Sequence, residues 1–248
     1  MDALLLAGRK DTGTLESHNK LNNKAFLMIN QIPMIEYVVD ALNQAKEIQS
    51  IVVVGPEDDL NFYVGKKVDK IIESTDSIIN NIKLGIDYVN NDRKLMVLTS
   101  DIPLITGEII DRFIEECKTF EALLYYPFIE KEIILQKYPE TIRSYANLKE
   151  GTFCGGNIVI FSRSLFEKNK VLLNELYQHR KDIKKYITLL GMRFIVKYLF
   201  KSLTIKEIEK RATEIVGYKV KGIKVQDPEM MIDLDKLSDY ELISQILK

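Results

Sequence analysis

The chain contains no tryptophan, two cysteines and two histidines among its 248 residues, and each scarcity removes a class of chemistry. Cys117 and Cys154 stand far apart, without the paired spacing of a zinc site, and read as ordinary reduced thiols rather than a disulfide or metal pair. His18 and His179 have no HxxxH-like companion, and no Ser-His-Asp signature is present. No apolar run approaches the roughly 20 residues that a membrane span requires. Met1-Asp2 leads straight into ALLLAG with neither a basic leader nor a cleavage site, so the sequence predicts a cytoplasmic protein. The formal net charge of -1 lacks the basic excess of a nucleic-acid surface, and no nucleic-acid partner is expected. With 46% apolar and 29% charged residues, the composition is that of a globular protein with a full core.

What is present is organised around Lys94 to Thr106, KLMVLTSDIPLIT. Leu95 to Thr99 have the length and β-branched content of a buried strand, and the run stops at Ser100-Asp101-Ile102-Pro103. Pro103 cannot continue a central ladder, so the backbone turns out of the sheet there, and Thr106 can cap the helix that follows. An acid is thereby placed at a strand's carboxyl end, the edge at which open α/β sheets bind ligands. Two readings of Asp101 stand at this point: a ligand for Mg²⁺ against a substrate phosphate, or a turn and cap residue.

The flanking segments repeat a βαβ grammar. Ala3 to Ala7 is an apolar strand that runs into Gly8, and the polar stretch Gly8 to Asn23 carries Arg9, Lys10 and Lys20, either an anion site or a solvated loop. Pro33 opens a helix with Ile35, Val38, Val39 and Leu42 on one face; Ile51 to Val54 ends at Gly55-Pro56. Ser74 to Ser77 precede a helix bearing Ile78, Ile79, Ile82, Ile86 and Val89. Ser74 or Thr75 would cap it, or Asp76, Ser77 and Asn81 would meet a base or ribose. Ala122 to Phe128 adds a strand, and residues 130 to 150 read as a charged excursion from the core. Gly151 to Asn157, with Gly155-Gly156, enters a strand at Ile158 to Phe161, where paired glycines imply close approach to a ligand or another backbone. From His179 to Arg211 the chain turns basic and apolar, an accessory helical insertion at about 179–214. Residues 180–201 of it suit packing on the sheet or in a homodimer, or docking on an anionic membrane surface. Asp233 and Asp235 alternate on an extended run, so one face receives both.

Taken together, LLLAG, NKAFLMINQIPMIEYVVDAL, TSDIPLIT, GTFCGGNIVIF and IDLDKLSDYELI resemble, in order and over nearly the whole chain, the MobA-like NTP-transferase domain, a nucleotidyltransferase of the nucleotide-diphospho-sugar transferase fold. The resemblance implies a three-layer α/β/α sandwich with a mostly parallel, Rossmann-like sheet, here a single domain over residues 1–248 carrying the helical insertion. It implies a Mg²⁺-dependent transfer of a nucleoside monophosphate from an NTP to a phosphorylated acceptor, small or lipid-linked, with release of pyrophosphate. Lys24 matches the signature lysine, Asp101 the acid of the (G)DxPL metal motif and Asp233 the second metal position, with Asp235 the second choice. Ala7, Gly8, Arg9, Lys10, Ser77, Asn81 and Ser100 would bind the nucleotide; Gly156 and Asn157 would face the acceptor. Arg9 replaces the second glycine of the family's LAGG opening, the Arg-Met pair of its loop is absent, and Leu237 stands where proline is common. These departures leave a second reading, a weak or inactive nucleotide-binding protein of the same fold. A third, lower in rank, is a glycosyltransferase that uses a nucleotide sugar.

Overall fold

Strands that are apolar at every position arise when both faces of a sheet are covered, and the leading strand shows this directly. In β1 (Asp2–Leu6), Ala3 and Leu5 enter one buried cluster while Leu4 enters another on the opposite face. The computed structural model describes residues 1–8, 23–89, 93–178 and 189–248. A short hairpin, β2 (Met28–Ile29) and β3 (Ile32–Pro33), leads into helix α1 (Met34–Gln44). Next come β4 (Ser50–Gly55), α2 (Glu57–Val64), β5 (Lys70–Glu73), α3 (Ile78–Val89), β6 (Lys94–Thr99) and α4 (Gly107–Lys118). Ile51 and Val53 of β4 and Met96 and Leu98 of β6 face the first cluster with α1 and α4. Val52, Val54, Leu95 and Val97 face the second with Ile79 and Ile86 of α3. Two apolar layers with helices outside both make the α/β/α sandwich.

Strands β5, β4, β1 and β6 lie side by side in that order, all parallel. The chain leaves β1 for β4 on one side and later returns to β6 on the other, so the strand order reverses between β1 and β6. In such sheets the crevice at the carboxyl ends of the two diverging strands is the ligand site. Beyond β6 come β7 (Leu124–Glu130), α5 (Lys131–Lys137), β8 (Ala146–Leu148), β9 (Gly151–Gly155), β10 (Ile158–Ser162) and α6 (Arg163–Gln178). Of the nine strands in the main sheet, only β9 and β10 run against the rest. They lie along one edge of β7 and are divided by Gly156 and Asn157. Phe128 pairs with Gly155 but Tyr125 with Ile160, which leaves those two residues as an insertion in the ladder.

Residues 130 to 150 are not the excursion that their charge implies. Ile134 of α5 is fully buried and β8 joins the sheet, because the charges sit on the outer faces of elements whose few apolar residues reach the core. The basic segment is described from residue 189 onward. Helix α7 (Met192–Leu199) has no buried residue, and Met192, Leu199 and the following Phe200 are exposed. Helix α8 (Ile205–Val216) opens with the capping box of Thr204 and Glu207. It meets β11 (Val220–Lys224) through Glu209, which accepts from the Gly222 N–H and the Lys221 ammonium. A 3-10 turn (Pro228–Met231) and helix α9 (Leu237–Ile246) finish the fold. Among the described residues no helix is long and apolar enough to cross a membrane.

Candidate active site

The carboxyl ends of β4, β1 and β6 are drawn together by backbone hydrogen bonds that outrun the strands. Ala7 N–H donates to Val54, Ser74 N–H to Gly55 and Ser100 N–H to Leu6. Ala7, Gly8, Ser100 and Asp101 therefore share one rim at the point where strand order reverses. Gly8 is set by its neighbours: a Cβ there would lie 2.9 Å from both Cβ and Oγ of Ser74 and 3.3 Å from the Asn81 amide nitrogen. The Asn81 side chain is committed to this loop, its oxygen accepting from the Thr75 N–H and hydroxyl and its nitrogen donating to the Thr75 carbonyl. Ser77 Oγ accepts from Asn80 N–H at 3.3 Å, so Ser77 caps α3, not Ser74 or Thr75. Asn81 thus stands beside Gly8 and shapes the loop, while Ser77 serves as the cap of its helix. Arg9 and Lys10 lie outside the described residues.

Lys24 reaches the rim from a 3-10 turn (Lys24–Phe26) held by Asn23. The Asn23 side chain accepts from Ala25 N–H at 2.9 Å and donates to the Ala7 carbonyl at 2.8 Å, pinning the lysine's turn to the end of β1. The buried Lys24 ammonium lies 2.8 Å from Asp101 and 2.5 Å from Asp235. Thr99 donates to the other Asp101 oxygen at 2.5 Å. Asp101, Asp233 and Asp235 each bring one carboxylate oxygen into a group within 4.8 Å of one another. Three carboxylate oxygens at this separation form the hard, anionic donor set that suits Mg²⁺, and among the described residues no softer nitrogen or sulfur ligand joins it. Burial, with the charges of Asp235 and Asp101, pushes the Asp233 carboxyl up to about 6 against the opposing pull of Arg143 and Lys24.

Asp233 and Asp235 both enter this group. The 3-10 turn ends in an extended Ile232, and the peptide N–H of Leu234, between the two acids, donates to the Asp101 carbonyl at 2.9 Å. The backbone of this last segment is stitched onto the end of β6. Gly156 and Asn157 lie alongside: Gly156 N–H donates to the Pro127 carbonyl and Asn157 N–H to that of Met230. A Cβ on Gly156 would stand 2.9 Å from the Pro127 ring and 3.0 Å from the Met231 sulfur, so packing against these side chains accounts for the glycine.

Arg143 has no counterpart in the sequence reading. It lies in irregular chain between α5 and β8, yet its side chain is buried and forms ion pairs with Asp233 and Asp239. Its only signal in the sequence is an arginine among apolar and hydroxyl residues, TIRSY, which many surface loops share. Asp239, also missed, accepts from the N–H groups of Asp235 and Lys236 at the start of α9.

The model of the MobA-like NTP transferase domain matches residues 16–188. The chain belongs to that family. Asp233 and Asp235 lie beyond the matched span. This MobA-like domain is 30% identical to a hypothetical transferase from Thermus thermophilus, with 96% of this chain and 98% of the other covered and a TM-score of 0.86. It shares its fold with CMP:2-keto-3-deoxy-manno-octonic acid synthetase complexed with CTP, at 12% identity, coverage of 99% and 98% and a TM-score of 0.62. The 4-diphosphocytidyl-2C-methyl-D-erythritol synthase of Anaerococcus prevotii is similar at 11% identity and a TM-score of 0.59, covering 99% of this chain and 95% of that one. No curated protein matches the chain in sequence.

Proposed function

We propose that the chain is a Mg²⁺-dependent nucleotidyltransferase that moves a nucleoside monophosphate from an NTP to a phosphorylated acceptor. The observation that carries this reading is the convergence of Asp101, Asp233, Asp235 and Lys24 at the crevice between β1 and β6. Asp101, Asp233 and Asp235 would hold the cation, and Mg²⁺ bound there supplies Lewis-acid neutralisation of phosphate oxygens. An oxygen of the acceptor phosphate attacks the α-phosphorus, the bond from that phosphorus to the bridging oxygen breaks, and pyrophosphate departs with the electron pair. The attacking oxygen is already anionic, so no side chain need take a proton, consistent with a chain whose two histidines form no general-base motif. Lys24 offsets charge that builds on the leaving group, and its tether through Asn23 to β1 holds the ammonium at the site. Ala7, Gly8 and Ser100 present backbone along the nucleotide's path, and Ser77 and Asn81 form its outer wall. Gly156 and Asn157 border the acceptor side.

The altered opening LAGR favours one competing reading, a nucleotide-binding protein without turnover. Isothermal titration with each of the four common NTPs, with and without Mg²⁺, paired with a pyrophosphate-release assay over a panel of sugar and alcohol phosphates, separates them. Binding of one NTP that requires Mg²⁺, is lost in Asp101→Asn and is accompanied by pyrophosphate release supports the enzyme. Mg²⁺-dependent binding without release across the panel supports the binding protein, and failure to bind any NTP overturns both.

A further inference from the structure

Arg143 spends its guanidinium entirely within the protein. Nε donates to the Thr141 hydroxyl at 2.9 Å, Nη1 to Asp233 and Nη2 to Asp239 at 2.6 Å, with only 7% of the side chain exposed. The second oxygen of Asp239 accepts the peptide N–H of Asp235 at 3.0 Å and of Lys236 at 2.9 Å. One fork therefore ends on Asp233 directly and on Asp235 through a single carboxylate and a single peptide group. No strand performs this task, because residues 232–236 belong to none. A guanidinium suits it, being planar, with donors at a fixed spread that set the direction of each carboxylate it holds; an ammonium, a point charge with rotating donors, fixes no such direction. Among the described residues, Lys24 joins Asp101 and Asp235 while Arg143 joins Asp233 and Asp239, so two cations link all four carboxylates.

We propose that Arg143 is a positioning residue for the divalent-cation site, holding Asp233 directly, and Asp235 by way of Asp239, in register with Asp101. The proposal rests on the metal-dependent reading above. Arg143 turns no open face to the crevice, so it acts through the carboxylates and touches neither nucleotide nor acceptor. Partners that orient ligating groups typically govern affinity by about ten- to a hundredfold, and that is the effect expected here.

The test uses Mn²⁺ as the probe, with free Mn²⁺ followed by electron paramagnetic resonance in the absence of nucleotide. Wild type, Asp101→Asn, Arg143→Lys, Asp239→Asn and the Arg143→Lys/Asp239→Asn pair are compared, with the folded fraction fixed by circular dichroism. The expected result is binding in wild type, loss in Asp101→Asn and a weakening of about ten- to a hundredfold in each of Arg143→Lys and Asp239→Asn. The double variant should bind no more weakly than the weaker single one, since both break the same link. A role confined to stability would lower the melting temperature and leave the affinity of the folded protein unchanged, which overturns the proposal. If Arg143→Lys does not fold, Asp239→Asn alone decides, since it breaks the link without altering any of the three clustered acids. Wild-type affinity in Arg143→Lys, with binding lost in Asp101→Asn, overturns only the role of Arg143. Absence of Mn²⁺ binding in wild type, or its persistence in Asp101→Asn, overturns the metal reading and this inference with it.

Discussion

Asp101 and Asp233 meet in one cluster but are delivered by different means. Asp101 stands just past the end of β6, a strand paired with β1 on one side and β10 on the other, so the sheet itself sets its place. Asp233 sits in irregular chain, fixed by the Arg143 ion pair and by the hydrogen bond from the Leu234 peptide N–H to the Asp101 carbonyl. One position is a property of the fold; the other is built by side chains laid over it. The sheet-borne acid should therefore respond to substitution mainly through loss of its own charge, and the other also through loss of its supports.

The largest effect is expected at Asp101. Asp101→Asn should lower turnover on the order of 10³-fold, as removal of a preorganised electrostatic group does, with the secondary structure intact by circular dichroism. A drop of only a few fold would make the strand-end acid dispensable and invert the comparison. Asp235, 41% exposed as a side chain, should matter less than Asp101 when changed to asparagine, in a side-by-side measurement of kcat.

The supports come next. A double-mutant cycle of Arg143→Lys with Asp239→Asn, read from chemical denaturation, should show a coupling of about 0.5–3 kcal/mol, the range for groups in direct contact. The same cycle with Arg143→Lys and Thr204→Ala, a helix cap on α8, should be additive. Coupling between these two would mean that the network reaches beyond the site.

Asn23→Ala removes a side chain that bridges the end of β1 and the turn of Lys24, and a loss of about 1–2 kcal/mol is expected from the cap and buried hydrogen bond together. Activity should fall further than that change in stability alone explains, because the lysine loses its anchor. Equal stability with full activity would show that the Lys24 turn needs no tether.

The smallest effect is expected at the cysteines. Burial pushes the Cys117 thiol up to about 12, and burial likewise raises that of Cys154. At pH 8 the Cys117 thiolate is on the order of 10⁻⁴ of the total, since each unit of pKa above pH costs a factor of ten. A thiol reagent should therefore leave the native protein unlabelled and react with both cysteines in denaturant. Labelling of Cys154 in the native state would show that the chain near Asp233 opens.

The contrast between the two acids also explains what the sequence disclosed. Asp101 was visible because a strand announces itself: an unbroken apolar run, an acid, then proline. Lys24 and the paired aspartates were visible through family resemblance, and the strands β1, β4 and β6 through their apolar runs. Arg143 was invisible because nothing local requires it. Its partners, Asp233 and Asp239, lie far along the chain, and a charged residue between two short elements looks the same in sequence whether it faces water or a buried carboxylate. The same holds for residues 130 to 150, whose charge hid the buried Ile134. Ser77 as the cap of α3 was obscured by four consecutive side chains able to play that part.

The hydrogen bond from Leu234 to Asp101 has a consequence for the protein's birth. A ribosome delivers β1, β4, β5 and β6 first, and these can zip into the parallel half of the sheet while the rest is still being made. Asp233, Asp235 and the helix that follows emerge only after all of these strands. A nascent chain stalled before that point would own a core, a lysine and one acid, yet no trio of carboxylates. The trio is thus completed well after the strand that anchors it, and a polypeptide cut short between the two would lack it.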